Sequence, residues 1–207
     1  MAVVHRATLT PGKLELLGPW LEKQPWAGGF GELDQLGSYR FDDPEGEVGI
    51  EALLVAAGAK MLHLPLTYRG APLAGAEDFL IGTMEHSVLG PRWCYDGCAD
   101  PAAARAFLHA ILTGGHEAEL LVEESGEIVD RRDPTVRVRG TGSLRADDVP
   151  HVGSLTIDDL GAQAVVSLAD FDLTIARIVP AELAGDETLS AVWHGGESVV
   201  AAVRALD

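Results

Sequence analysis

The sequence predicts an antiparallel α+β protein, with two helices in its first half and a β-rich second half. Three observations carry this. Two stretches repeat apolar residues at helical spacing. Nearly all the rest alternates or runs apolar in short segments between turn signals. The connections are too short and helix-poor for parallel crossovers.

The first helix is expected from Pro11 to Glu22. Thr10 is its candidate N-cap, and Pro11 suits the first helical position, where a missing N–H costs nothing. Leu14, Leu17 and Leu21 form the apolar stripe, widened by Leu16 and Trp20, and Gln24-Pro25 ends it. Strands are expected around Tyr39–Phe41, then over Glu47–Val55, Met61–Tyr68, Phe79–Val88 and Arg92–Asp96. The second helix is expected from Pro101 to Thr113, with Asp100 as its cap and Gly114-Gly115 as its stop. Ala104, Phe107, Leu108, Ile111 and Leu112 share its apolar face. Further strands are expected over Glu117–Glu124, Thr135–Leu144, Gly153–Ile157, Ala162–Leu168, Asp172–Val179, Leu189–His194 and Val199–Val203. The polar stretch Glu123–Asp133 marks a boundary between residues 1–125 and residues 126–207. One continuous sheet is the alternative.

Fifteen basic residues stand against 32 acidic ones, a formal charge of −17. Such a chain repels phosphate backbones and anionic lipid, so nucleic-acid and membrane-surface partners are excluded on electrostatic grounds. A basic partner would be attracted. The start Met-Ala-Val-Val-His-Arg is no secretory leader, and no apolar run reaches the ~20 residues of a membrane span. A cytoplasmic location follows as an expectation. Cys94 and Cys98 are too few for a disulfide framework and read as buried thiols.

No Walker-type phosphate loop, no G-x-G-x-x-G opening a helix and no kinase catalytic loop occurs. Asp170-Phe171-Asp172, with no catalytic loop before it, reads as a turn between strands. No H-E-x-x-H, G-x-S-x-G or paired C-x-x-C is present. The residues thus call for no cofactor and no metal, and enzymatic activity stays an open question that leans toward none.

The densest run of reactive side chains is Glu85 to Pro101. It holds the candidate ligand-binding residues Glu85, His86, Arg92, Trp93, Tyr95 and Asp96. Here a resemblance emerges. Leu62-His63-Leu64-Pro65-Leu66-Thr67-Tyr68-Arg69, Phe79-Leu80-Ile81-Gly82-Thr83 and Trp93-Cys94-Tyr95-Asp96-Gly97-Cys98-Ala99-Asp100-Pro101 resemble, in order, the PL-x-YR strand, IG strand and YD-x-x-x-DP helix entry of the maltokinase N-terminal cap. The likeness covers roughly residues 8–115, aided by Gly37-Ser38-Tyr39-Arg40-Phe41 and Gly49-Ile50-Glu51. It implies an antiparallel sheet curved around a helix, similar to a cystatin fold, and a setting in maltose, trehalose or α-glucan metabolism. It carries over no kinase residue, since no catalytic motif has a matching position.

Two readings follow. In one, the chain is a non-catalytic accessory protein whose cap-like sheet meets a sugar-metabolism enzyme. In the other, it is a small enzyme or carbohydrate binder with a site around Glu85, Arg92 and Asp96, where two carboxylates ~5–9.5 Å apart could act on a glycosidic bond. Asp96 and Asp100 equally suit capping, and Trp26 and Trp93 suit either the core or a sugar ring. Glu85 and His86 are adjacent and so face opposite sides of a strand. Arg131, Arg132, Arg137, Arg139 and Arg145 suit a solvated face paired with carboxylates, or a partner contact. Open sheet edges admit a homodimer.

Overall fold

A computed structural model describes residues 2–206. In chain order the elements are β1 (Ala2–His5), β2 (Leu9–Thr10), α1 (Lys13–Leu21), β3 (Leu33–Phe41), β4 (Gly49–Ala57), β5 (Lys60–Arg69), β6 (Leu80–His86), β7 (Gly90–Asp96) and α2 (Pro101–Leu112). There follow β8 (Leu120–Glu124), β9 (Glu127–Arg132), β10 (Val136–Gly140), β11 (Thr156–Asp159), β12 (Gln163–Ser167), β13 (Phe171–Ala176), β14 (Ile178–Val179), β15 (Glu187–Trp193) and β16 (Gly196–Ala205).

The first sheet runs β2-β6-β7-β5-β4-β3, with β14 added to β5. Irregular register at Gln35/Gly37 and Leu80/Gly82 marks bulges in this antiparallel, curled sheet. Side chains of β4 alternate between its faces. Leu53 and Val55 join Leu17, Trp20 and Leu21 of α1 in one apolar cluster. Ile50, Ala52 and Leu54 turn the other way and meet α2. Gly82 of β6 lets α1 approach, since a Cβ there would lie 2.6 Å from Leu16 Cδ1.

The second sheet, β10-β15-β16-β13-β12-β11, is antiparallel throughout and packs on the opposite side of α2. The layers are therefore α1, first sheet, α2, second sheet. Helix α2 lies between two apolar faces, which accounts for its nine buried residues, five of them alanines that keep the layers close, while Arg105 and His109, one turn apart, mark its open edge. One cluster joins Tyr39, Phe41 and Phe107 to Val138, Ile175, Leu189 and Ala201. The backbone N–H groups of Gly142 and Leu144 donate to the carbonyls of Ile111 and Leu112, closing the C-terminus of α2. Glycine is required at 140 and 142, because a Cβ would lie 2.0 Å from the Ala110 carbonyl oxygen and 2.2 Å from that of Leu112.

Three details differ from the expectations. Helix α1 starts at Lys13 behind Gly12, because Thr10 belongs to β2 and pairs with Glu85 of β6. The pairing is not wholly antiparallel: β1 runs parallel to β8 in a third sheet, β1-β8-β9. The connection there is the whole cap-like region rather than a short loop. Strand β9 forms inside the polar boundary stretch, carried by its ladder with β8 although every residue in it is exposed. Among the described residues, no helix is long and apolar enough to cross a membrane.

Phe107 is fully buried, with ring centroids 5.2 Å from Phe41 and 6.4 Å from Tyr39. Phe107→Ala is expected to cost about 3–5 kcal/mol of stability, read by urea unfolding.

Candidate functional site

The segment from Glu85 to Pro101 forms the β6–β7 hairpin, a 3₁₀ turn over Gly97–Ala99 and the entry to α2. Its inner end is tightly bonded. Asp96 is buried and accepts from the backbone N–H of Cys98 at 3.1 Å, capping the turn. Both its oxygens also accept from Arg177, with Nη1 2.9 Å from Oδ1 and Nη2 bonded to Oδ2. Arg177 is 2% exposed and lies between β13 and β14. Burial alone would lower its proton affinity, but the Asp96 carboxylate outweighs this and raises it. The Trp26 ring lies over the guanidinium, its centroid 5.2 Å away, and Trp26 Nε1–H donates to Asp159 at 3.0 Å.

The family-like motif residues are bonded in the same manner. Arg69 makes a two-pronged ion pair with fully buried Asp100, at 2.6 and 2.7 Å. Asp100 also accepts from Ala102 N–H at 2.9 Å, so the residue that caps α2 is anchored to β5. Tyr68 donates to Glu51 at 3.1 Å, and Tyr95 accepts from Leu73 N–H at 2.9 Å. Gly97 packs directly on Pro65. His63 is fully buried beside them. Its Nδ1–H donates to the Ala176 carbonyl at 2.9 Å, which leaves Nε2 to accept from Tyr39 at 2.8 Å.

The outer end of the hairpin borders a cleft of about 560 Å³. Strand β1 and the β3–β4 hairpin form its other sides, and Lys13, Arg40, His86, Arg92 and Arg132 line it. Beside it, buried Glu51 accepts from Lys13 at 2.6 Å and lies 3.4 Å from Arg40. Burial would raise its carboxyl, but Arg40 and Lys13, with hydrogen bonds from Lys13 and Tyr68, lower it below the ordinary range. His86 meets His5 edge to face at 5.8 Å. Its Nδ1 accepts from the N–H groups of Val88 and Leu89, so in the neutral ring Nε2 carries the proton. Burial and the nearby His5, Arg92 and Arg40 lower its pKa.

The six candidate residues thus part company. His86 and Arg92 line the cleft. Asp96 and Tyr95 are buried in internal bonds, Trp93 is half-buried, and Glu85 is exposed on the opposite side of β6 from His86. Pro91 is the cross-strand neighbour of Glu85. Asp96 lies farther along β7 by about 17 Å at strand rise, beyond the span of a paired acid and base. Cys94 and Cys98 are free and buried, with burial raising both thiols. Among the described residues, no group of three His, Cys, Asp or Glu side chains is arranged to hold a metal. Arg137 pairs with Glu117 and Asp133, and Arg131 with Glu119. Sequence reasoning missed Arg177, His63, Glu51 and His5. The first three carried a signal: each is a lone polar residue inside an apolar strand run, and such residues are buried with partners.

The bonded motif residues and the curled sheet lie within one segment. Residues 20–100 match the maltokinase N-terminal cap domain. The match is shorter than half of the 207-residue chain, running from the end of α1 through β7 to the cap of α2. No curated protein matches the chain.

Burial first, then the Arg177 charge, lower the His63 pKa from 6.5 to about 4, against the opposing pull of the Ala176 carbonyl. The unfolded chain therefore binds one more proton than the folded one between these values. The stability from neutral His63 is fully present above about pH 6.5 and falls, by up to about 1.4 kcal/mol per pH unit, as the pH drops toward about 4. Urea unfolding at about pH 4.5 and about pH 7 is expected to show a smaller pH difference for His63→Gln than for the parent chain.

Proposed function

We propose that the chain is a non-catalytic accessory protein, built on a maltokinase-cap-like sheet, that acts beside an enzyme of maltose, trehalose or α-glucan metabolism. The observation that supports this most is the use made of the motif residues. Within the cap-matching segment, Arg69 and Asp100, Tyr68 and Glu51, and Asp96 with its outside partner Arg177 are committed to bracing the sheet. Groups held in this way shape a surface rather than meet a substrate. A cystatin-like curl, a cap-like part over residues 1–125 with a β-rich addition over residues 126–207, and a cytoplasmic setting belong to this reading. The formal charge of −17 suits a basic partner face.

A second reading, a small-molecule binder beside Arg92, is favoured by the cleft that Arg92 and His86 line. Its volume of about 560 Å³ falls in the range of ligand pockets.

Light scattering of the full chain mixed with purified maltose-, trehalose- and α-glucan-processing enzymes tests the first reading. A complex of fixed stoichiometry with one of them is expected, with no sugar phosphate formed from ATP and magnesium by the chain alone. Sugar phosphorylation by the chain alone, or no complex with any of them, would contradict it.

A further inference from the structure

The cleft beside β1 has a chemical character of its own, independent of the partner-protein reading. In a chain with 15 basic residues and 32 acidic ones, four of the basic ones converge on this concavity: Lys13, Arg40, Arg92 and Arg132. Lys13 and Arg40 share the single carboxylate of Glu51. Arg92 and Arg132 make no ion pair with a carboxylate among the described residues, and Arg92 donates to the Leu89 carbonyl at 2.8 Å. Among the described residues, no carboxylate lies within ion-pair distance of either guanidinium, so both are open to an anion that enters the cleft.

Three acids, Asp42, Asp43 and Glu47, also line the cleft. Asp43 accepts from the backbone N–H groups of Glu45, Glu47 and Val48, which ties it to its own hairpin loop. Asp42 is engaged as well, and Glu47 is exposed. His86 adds an Nε2–H donor, since its Nδ1 already accepts two backbone N–H groups. The walls between these groups are apolar, with Val3, Leu9, Val48, Ile50, Met84 and Leu89. A volume of about 560 Å³ is ample for a small organic molecule and far more than one hydrated ion needs.

Arg92 is also seated. A Cβ on Gly70 would lie 2.7 Å from its Nη1, so the guanidinium lies close over that glycine and would have to shift if a side chain stood there. The Leu89 carbonyl holds the other nitrogen. A guanidinium fixed in this way offers its remaining donors in a defined plane, the arrangement that phosphoryl and carboxylate oxygens accept from best.

We propose that this cleft binds a small organic dianion through Arg92 and Arg132, with His86 as an added donor and the apolar walls taking the carbon frame. Phosphate monoesters and dicarboxylates share that chemistry. Calorimetric titration of the full chain with a hexose 1-phosphate, succinate, inorganic phosphate and uncharged maltose separates them. At least one of the two organic dianions is expected to bind about tenfold or more tighter than maltose and than inorganic phosphate, and to weaken as salt rises. Which of the two binds names the source.

Arg92→Gln and Arg132→Gln are each expected to weaken that binding about tenfold. Both sites are on the surface of hairpins, and unchanged melting would show that the fold is kept. Gly70→Ala moves the Arg92 guanidinium without removing its charge, and is expected to weaken binding while the melting temperature holds. No binding of either organic dianion would overturn the proposal. So would equal binding of maltose, or binding that Arg92→Gln and Arg132→Gln both leave unchanged. None of these results bears on whether the chain forms a complex with an enzyme.

Discussion

The Asp96–Arg177 ion pair is the interaction on which the arrangement of the molecule turns. Asp96 ends β7 and caps the 3₁₀ turn that leads into α2, while Arg177 stands between β13 of the second sheet and β14, the strand added to the first. One carboxylate therefore serves a local turn and a contact across 81 residues of chain. Both partners are almost wholly buried. Desolvating two charges is costly, and the cost is met only when geometry and hydrogen bonds are good. Here two parallel N–H···O bonds, the Cys98 N–H and the Trp26 ring supply most of that surrounding, while the buried Arg177 Nε–H has no hydrogen-bond partner among the described residues. Removing either charge alone would strand the other in the interior.

The pair works together with α2. A helix with apolar residues on two opposite faces has no stable place at a surface, so both sheets must close on it. The loop after β10 completes this by giving backbone donors to the last carbonyls of α2, at a distance that only Gly140 and Gly142 permit. Buried polar contacts set the register of this junction, and apolar burial drives it. The consequence for function is a separation along one strand. The inner end of β7 is spent on structure, and the open chemistry of the hairpin lies at its outer end, where Arg92 and His86 face the cleft.

Much of this was legible locally. Asp100-Pro101 announced the start of α2, and the Leu14, Leu17 and Leu21 spacing announced α1, because caps and periodicity act within a few residues. The alternation of Val136 and Val138 with Arg137 and Arg139 gave the buried and exposed faces of β10 correctly. The motif order from Pro65 to Pro101 pointed to the cap-like segment that residues 20–100 match. What stayed hidden depends on partners distant in the chain. Strand β9 has no buried residue and exists through its ladder with β8. Strand β1 finds its partner at Leu120, and Arg177 finds its own at Asp96. A short polar strand and a single buried charge have no periodicity to read, so only the folded chain shows what they do. The candidate site divided for the same reason: Asp96 looked reactive in sequence because its counter-charge comes from the other half.

Urea unfolding of Asp96→Asn against the parent chain tests the account most directly. Asparagine keeps the oxygen that accepts from Cys98 N–H but removes the charge and sets an NH2 donor where Oδ2 accepted from Arg177 Nη2, leaving the buried guanidinium without its counter-charge. The account predicts a loss of about 3–5 kcal/mol, with a single transition seen by both tryptophan fluorescence and circular dichroism. An unchanged midpoint would contradict it, because the ion pair would then contribute nothing to holding the two sheets around α2.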